Sequence, residues 1–187
     1  MKRIPSLLIA ILMVISVNAQ DSEIQTLFGG GTRISGMGGP IMSFSSIDGQ
    51  LAHMMGGGGG VILGDLFVGG YGLGLTNPIT SGGNTTEFGH GGLWAGYSFM
   101  GKAALHPVVS SQLGWGTVTQ LDEYIVLSSD NIFVLNPAIE LEMNFTRFFR
   151  LGIGAHYRLV RGVNTSTLTD SDFSGPGAFL SFKFGWF

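Results

Sequence analysis

The chain has 187 residues, of which 44% are hydrophobic and only 11% charged, with 32 glycines, no cysteine and a formal net charge of −3. Soluble domains carry about 25% charged residues, so much of this surface is not expected to face water. The lack of cysteine excludes a disulfide framework and a lipid-modified cysteine, and no basic stripe points to a nucleic-acid partner.

The chain starts as a processing signal. Lys2 and Arg3 are followed by a short apolar run, Leu7–Val17, and by Val17-Asn18-Ala19, a small-residue cleavage site. Residues 1–19 are read as a signal peptide and Gln20 as the mature start, which leaves 7 basic against 12 acidic residues and a net charge of −5. No later apolar run approaches the roughly 20 residues of a spanning helix. Residues 20–37 are weakly patterned, and their pairing is not set by the sequence.

From Gly38 onward the hydrophobic pattern has period two, the mark of strands with one apolar face. The segments are Gly38–Ile47, Gln50–Leu63, Asp65–Thr76, Phe88–Met100, Ala103–Val118, Asn131–Phe145, Phe148–Val163 and Gly175–Phe187. An even count of eight is the minimum for a single-chain membrane barrel. Gly64–Asp65, Gly101–Lys102 and Thr146–Arg147 are read as tight turns. They alternate with long polar connections, Asn77–Glu87, Thr119–Asp130 and Asn164–Ser174. Short turns at one end and long loops at the other are expected of such a barrel. Asp48–Gly49 is the exception, a hairpin-type turn. The long connections hold Glu87, Asp122, Glu123, Asp130, Asp170 and Asp172 and no lysine or arginine. Solvation of soluble loops accounts for these acids; bridging divalent cations to lipopolysaccharide is the alternative.

The hairpin Asn131–Arg161 shows what kind of alternation this is. Ile139, Leu141, Met143 and Phe145 alternate with Glu140, Glu142 and Asn144, and Leu151, Ile153 and Tyr157 with Arg150, His156 and Arg158. A soluble sandwich would turn the charges to water, whereas a membrane barrel turns the apolar face to lipid and encloses the charges. The second reading places Leu141, Met143, Leu151, Ile153 and Tyr157 against lipid, with even-numbered residues inward from Phe88 to about Val160. The third strand is read in the same sense, with Phe67, Tyr71, Leu73 and Leu75 opposite Gly70, Gly72 and Gly74. Glu140, Glu142, Arg150, His156 and Arg158 then form an ion-paired cluster filling the lumen, because buried charges need partners. A three-residue turn sets Glu142 opposite Arg150, and a wider one makes them diagonal neighbours.

Other constellations are weaker. His90, His106 and His156 share the inward parity but lie at different heights, so they cannot ligate one metal ion, whose ligands sit at about 2.0–2.1 Å. His90 with Ser81 and Asp170 or Asp172 is the one hydrolase-like set at the outer rim, and no motif supports it. Gly56–Gly60 lacks the Lys-Ser/Thr of a phosphate loop. Tyr71, Trp94, Tyr97, Trp115, Tyr157 and Trp186 are read as interfacial girdle or lumen packing.

GGYGLGLT (Gly69–Thr76), FVLNPAIELEMNFTRFFRLGIGAHYR (Phe133–Arg158) and LSFKFGWF (Leu180–Phe187) resemble small, uncharacterised outer-membrane β-barrel proteins of Gram-negative bacteria. The resemblance runs from about Gly38 to Phe187 and implies location and fold, with no reaction attached. One departure is the C-terminus. The apolar phase of the last strand is Leu180, Phe182, Phe184 and Trp186, so Phe187 is in phase with Lys183 and Gly185. Either a bulge near Gly185 resets the face or the terminal aromatic is not read in the usual way.

The sequence therefore predicts an all-β protein, an eight-stranded antiparallel up-and-down transmembrane barrel over residues 38–187 with a filled lumen and no open pore. It is expected in the bacterial outer membrane after cleavage near Ala19, as a monomer with no cofactor and no metal. Its partners are outer-membrane lipid, the barrel-insertion machinery and an unidentified extracellular partner of its long loops. The role is structural or surface-interacting and not enzymatic. The alternatives are a lipid-modifying enzyme at the outer rim and a secreted soluble barrel holding an apolar ligand.

Overall fold

Period-two patterning becomes strand along nearly the whole of the described chain. The computed structural model describes residues 34–81, 83–122, 125–165 and 167–187. The expected signal peptide 1–19, its cleavage site at Ala19, residues 20–33 and Glu123 lie outside the described residues. The strands are β1 (Ile34–Ile47), β2 (Gln50–Leu63), β3 (Leu66–Leu75), β4 (Ile79–Ser81), β5 (Asn84–Ser98), β6 (Leu105–Asp122), β7 (Ile125–Asn144), β8 (Phe149–Arg161) and β9 (Gly175–Gly185). A single-turn helix, α1 (Asp170–Phe173), precedes β9.

Among the described residues the sheet order is β3-β2-β1-β9-β8-β7-β6-β5-β4, and an additional β3–β5 pairing closes it. Every pairing is antiparallel. The result is a closed ring of eight strands, with β4 a short outlier hydrogen-bonded to the end of β5. Closure removes the sheet edges that an open eight-stranded sheet would expose.

Several boundaries differ from the sequence reading. β1 starts at Ile34, not Gly38, because Ile34–Met37 pair with Gly60–Leu63 of β2. Two of the connections read as polar loops are mostly strand. Ile79–Ser81 pairs with Asn84–Thr86 across a turn at Gly83 (φ 89°), and Thr119–Asp122 pairs with Ile125–Ser129. Thr, Ile and Val favour strand, and Ile79, Thr80, Thr85, Thr86, Thr119, Ile125 and Val126 supply them here, so the polar residues among them did not mark loops. The Asp48–Gly49 turn has positive φ at both residues (49° and 69°), as a two-residue primed hairpin requires.

Facing follows the expected parity from β5 to β8, with His90, Trp94, Val108, Gln112, Glu140, Glu142 and Arg158 buried inside the ring. Outward, Leu141, Ile153 and Tyr157 are exposed, and Met143 and Leu151 half-buried. The third strand corrects the sequence reading. Phe67, Tyr71 and Leu73 are buried inside, and Gly70, Gly72 and Gly74 lie on the outer wall.

The reason lies in the neighbouring glycines. A Cβ on Gly58 would meet the Trp94 ring at 2.9 Å, one on Gly96 the Phe67 ring at 2.5 Å, and one on Gly114 the Tyr71 hydroxyl at 2.5 Å. Inward glycine on one strand makes room for a large ring from the next strand or the one beyond it, so the inner face here carries aromatics set over glycines. The outer wall on this side is correspondingly bare. Gly38, Gly59 and Gly70 lie side by side, as do Pro40, Gly57, Gly72 and Gly91.

Candidate functional site

The interior is organised in three levels. At the short-turn end, Lys183 Nζ donates to Glu142 Oε2 at 2.6 Å and to Glu140 Oε2 at 2.8 Å. Arg150 Nη1 donates to Glu142 Oε1 at 2.8 Å, and the Ser181 hydroxyl donates to Glu140 Oε1. His106 Nε2 lies 3.2 Å from Glu142 Oε1, without hydrogen-bond geometry. Glu140, Glu142 and Lys183 are each under 5% exposed. Two carboxylates and two cations thus neutralise one another, with Arg150 partly exposed and the other three buried, as buried charge requires. The Lys183 ammonium also sits 5.5 Å from the Phe67 centroid and 5.4 Å from that of Trp94, within cation–π range.

Register explains the geometry. Asn144 is opposite Arg150 and Glu142 opposite Gly152, so Glu142 and Arg150 are diagonal neighbours across a connection wider than three residues. Gly152 has no side chain because a Cβ there would collide with the Glu140 carboxylate and the Ser181 hydroxyl.

The middle level is aromatic and polar. Tyr71 hydroxyl and His90 Nδ1 are 3.0 Å apart, Ser43 Oγ and His156 Nε2 2.9 Å, and Asn136 Nδ2 donates to Gln112 Oε1 at 2.9 Å. A space of about 20 Å³, on the order of one water, is bounded by Ser43, Trp94, Gln112, Asn136, His156 and Phe179 among others.

At the long-connection end lies a hydrophobic cluster. Phe173 of α1 is fully buried and packs on Phe88 with ring centroids 5.2 Å apart, beside Ile47, Ile79, Val118, Ile132, Val160 and Leu168. Arg158 holds it from below. Its Nε donates to the Phe173 carbonyl at 2.7 Å and its Nη2 to the Ser46 carbonyl at 3.3 Å, with its guanidinium 5.1 Å from the Phe88 centroid.

Of the five residues expected to form one charged cluster, the structure brings together Glu140, Glu142 and Arg150. Arg158 and His156 stand apart at other levels, with backbone carbonyls and Ser43 as partners. The alternation gave their facing but not their height. Lys183 was missed as the central cation, although its phase with Gly185 and Phe187 already placed it on the inner face. That same phase resolves the C-terminus. Pairing runs without a bulge through Met37–Gly185, and Phe187 lies under the Arg150 guanidinium at 3.9 Å while Trp186 is exposed. Tyr71 and Trp94 are inside, whereas Tyr97, Trp115, Tyr157 and Trp186 face outward.

Three of the acidic residues order the connections. The Asp170 carboxylate accepts from Val163 N–H at 2.8 Å, Asp172 from Thr169 N–H at 2.7 Å, and Asp130 from Asn164 N–H at 2.8 Å. Glu87 and Asp122 are exposed. The hydrolase-like set does not converge: His90 is engaged by Tyr71, Ser81 lies in β4 opposite Asn84, and Asp170 and Asp172 serve α1.

No protein-family model matches the chain, and no curated protein matches its sequence significantly. Solved structures match in shape. The N-terminal β-barrel domain of Pseudomonas aeruginosa OprF superposes with TM-score 0.61 at 16% identity, covering 84% of this chain and 100% of that domain. Neisserial surface protein A gives 0.59 at 14% identity, covering 84% and 99%. Ail, the attachment invasion locus protein of Yersinia pestis, gives 0.52 at 16%, covering 84% and 100%. In fold, this chain is a closed eight-stranded antiparallel β-barrel of the outer-membrane kind.

Proposed function

We propose that the protein is an integral outer-membrane barrel with a structural or surface-interaction role carried by its long outer hairpins, with its interior closed to passage. The observation that carries this reading is the inversion of charge and grease across one wall. Leu141, Ile153 and Tyr157 are 47%, 50% and 49% exposed, while Glu140, Glu142 and Lys183 beside them are buried within the ring. Water on the outside would favour the opposite arrangement; hydrocarbon favours this one. Exposed Tyr97, Phe99, Phe145, Phe148 and Trp186 near the short turns and Trp115 toward the other end supply aromatic girdles.

The ion-paired level, the aromatic middle and the Phe173 cluster in series support a blocked lumen. A mid-barrel space of about 20 Å³ is too small for the apolar ligand of a soluble carrier. The engaged partners of His90 and Asp170 speak against rim hydrolysis. Two of the structural neighbours are named for surface exposure or attachment, in keeping with a surface role. The test combines outer-membrane fractionation and heat-modifiable gel mobility with liposome swelling by the purified protein. Membrane-resident, heat-modifiable protein that does not accelerate swelling is the expected result. Swelling in small sugars would sink the closed interior, and a freely soluble protein would sink the membrane reading.

A further inference from the structure

The tip of the β6–β7 hairpin deepens the surface-interaction reading and rests on it. Up the outer wall of this hairpin the chemistry changes in three zones. Trp115 and Phe133 pair with ring centroids 5.9 Å apart; beyond them Thr117 faces Asn131 and Thr119 faces Ser129; beyond those Leu121 faces Val126. Ile125, Val126 and Leu127 are 68%, 59% and 53% exposed. From Trp115 to Leu121 the strand climbs about 20 Å at the usual rise per residue. A polar band therefore separates this apolar tip from the aromatic girdle, and the tip is not a continuation of the lipid-facing belt.

The backbone of the tip is paired on one side only. β7 follows β6 as far as Asp122–Ile125, but its pairing with β8 begins at Phe133–Arg161. Between these points Asn164 touches β7 through the Asp130 side chain, and among the described residues no strand pairs with the other side of Ile125–Ser129. The register shift at Gln120–Leu121 leaves Leu127 as the extra residue of a bulge. Natural edges are usually blunted by lysine, proline, a bulge or a covering loop; Ile125–Asn131 contains no lysine or proline, and the one-residue bulge at Leu127 is the interruption along it.

A row of unpaired backbone groups flanked by apolar side chains is matched by an extended strand, bound through main-chain hydrogen bonds. Charge sets the character of that strand. Asp122 faces Ile125, Asp130 closes the edge and Glu87 lies opposite Thr119 on the next strand, with no lysine or arginine in either hairpin connection. A second copy in the same membrane does not fit. Antiparallel pairing of identical edges needs a two-fold axis perpendicular to the strands, whereas copies inserted in one orientation are related about the membrane normal. We propose that the free side of Ile125–Ser129 docks an extended, apolar and positively charged segment of a partner protein by strand addition.

The probe is a labelled synthetic peptide of alternating Val and Thr with lysine at each end, compared with the same peptide N-methylated at alternate amides. Both are titrated against the full chain in lipid nanodiscs. The unmodified peptide is expected to bind at least about tenfold more tightly, since N-methylation removes several main-chain hydrogen bonds. Leu127→Lys, checked for folding by heat-modifiable mobility, is expected to weaken it by about tenfold by placing a charge on the edge. Equal affinity for the two peptides, no binding of either, or indifference to L127K overturns strand addition. Quenching of a Leu127→Trp variant by brominated phospholipid would seat the tip in lipid and overturn it as well. Labelling of Ser129→Cys on intact cells judges the surface-interaction reading separately: failure to label sinks that reading, while the nanodisc titration still decides the edge.

Discussion

Lys183→Met is the substitution that most directly tests the interior. The ammonium bridges two carboxylates at 2.6 and 2.8 Å, and it is 3% exposed. With it present, Glu140, Glu142, Arg150 and Lys183 sum to zero charge. Without it, Arg150 still holds Glu142 at 2.8 Å, but Glu140 keeps only the Ser181 hydroxyl. One carboxylate is then buried without a counter-charge, which costs about 3–5 kcal/mol. With a denaturant slope of about 2 kcal/mol per molar, the urea midpoint should fall by roughly 1.5–2.5 M. Unfolding of the barrel in detergent micelles, followed by tryptophan fluorescence and gel mobility in parallel, reads this out. The double variant Lys183→Met/Glu140→Gln removes the orphaned charge and should recover most of the loss. A single variant with an unchanged midpoint, or a double variant no more stable than the single, would show that these charges are hydrated and that the buried-pair reasoning is wrong.

Four further outcomes are expected. Arg150→Ala should cost less than Lys183→Met, about 2–3 kcal/mol, because Arg150 serves one carboxylate and is partly exposed; equal losses in the same urea series would contradict this ranking. Arg158→Met should free the α1 segment, whose Phe173 carbonyl it holds, and raise the rate of limited proteolysis within Asn164–Ser174 while leaving the barrel resistant; an unchanged cleavage rate counts against the strut. Gly58→Ala places a methyl group 2.9 Å from Trp94 and should destabilise by about 1–3 kcal/mol, whereas Gly72→Ala meets nothing within 4 Å and should be neutral or stabilising by about 0.5 kcal/mol; matched midpoints for the two would refute the packing assignment. Leu93→Arg on the outer wall, level with Trp94 and Gln112 of the middle, should cost about 2–4 kcal/mol in a bilayer, against little for Thr119→Arg, and refolding yields into vesicles distinguish them.

The ring of strands was legible because period-two alternation survives wherever one face must be apolar, and β5 to β8 kept one parity except at the bulged tip of the β6–β7 hairpin. What the alternation could not give was the sign of facing where both faces are small or greasy. In β3 Phe67, Tyr71 and Leu73 alternate with glycine, and either face could have been the outer one; the decision rests on partners two strands away, such as Trp94 over Gly58. Height was equally hidden. Arg150 and Arg158 share a face, yet the rise along β8 puts one beside Glu142 and the other beneath Phe173. Lys183 was visible as an inward residue, but its role depended on β9 closing against β1 and β8, a contact that no local pattern encodes. The strand character of Thr119–Asp122 and Ile125–Ser129 was obscured by the bulge at Leu127, which breaks the period-two alternation, and by polar Thr119, Gln120, Ser128 and Ser129, which report solvent and not backbone geometry.

The glycine patch shared by β1, β2, β3 and β5 makes the barrel lopsided, with its bulk carried inside on one half and outside on the other. Over Gly38, Gly57, Gly59, Gly70, Gly72 and Gly91 the ladder has no side-chain coat of its own. Acyl chains must then serve as its insulation, and the dryness of those amides becomes a property of the host bilayer. Removed into a loose detergent shell, this half should exchange its amide hydrogens well before the leucine- and phenylalanine-clad half does.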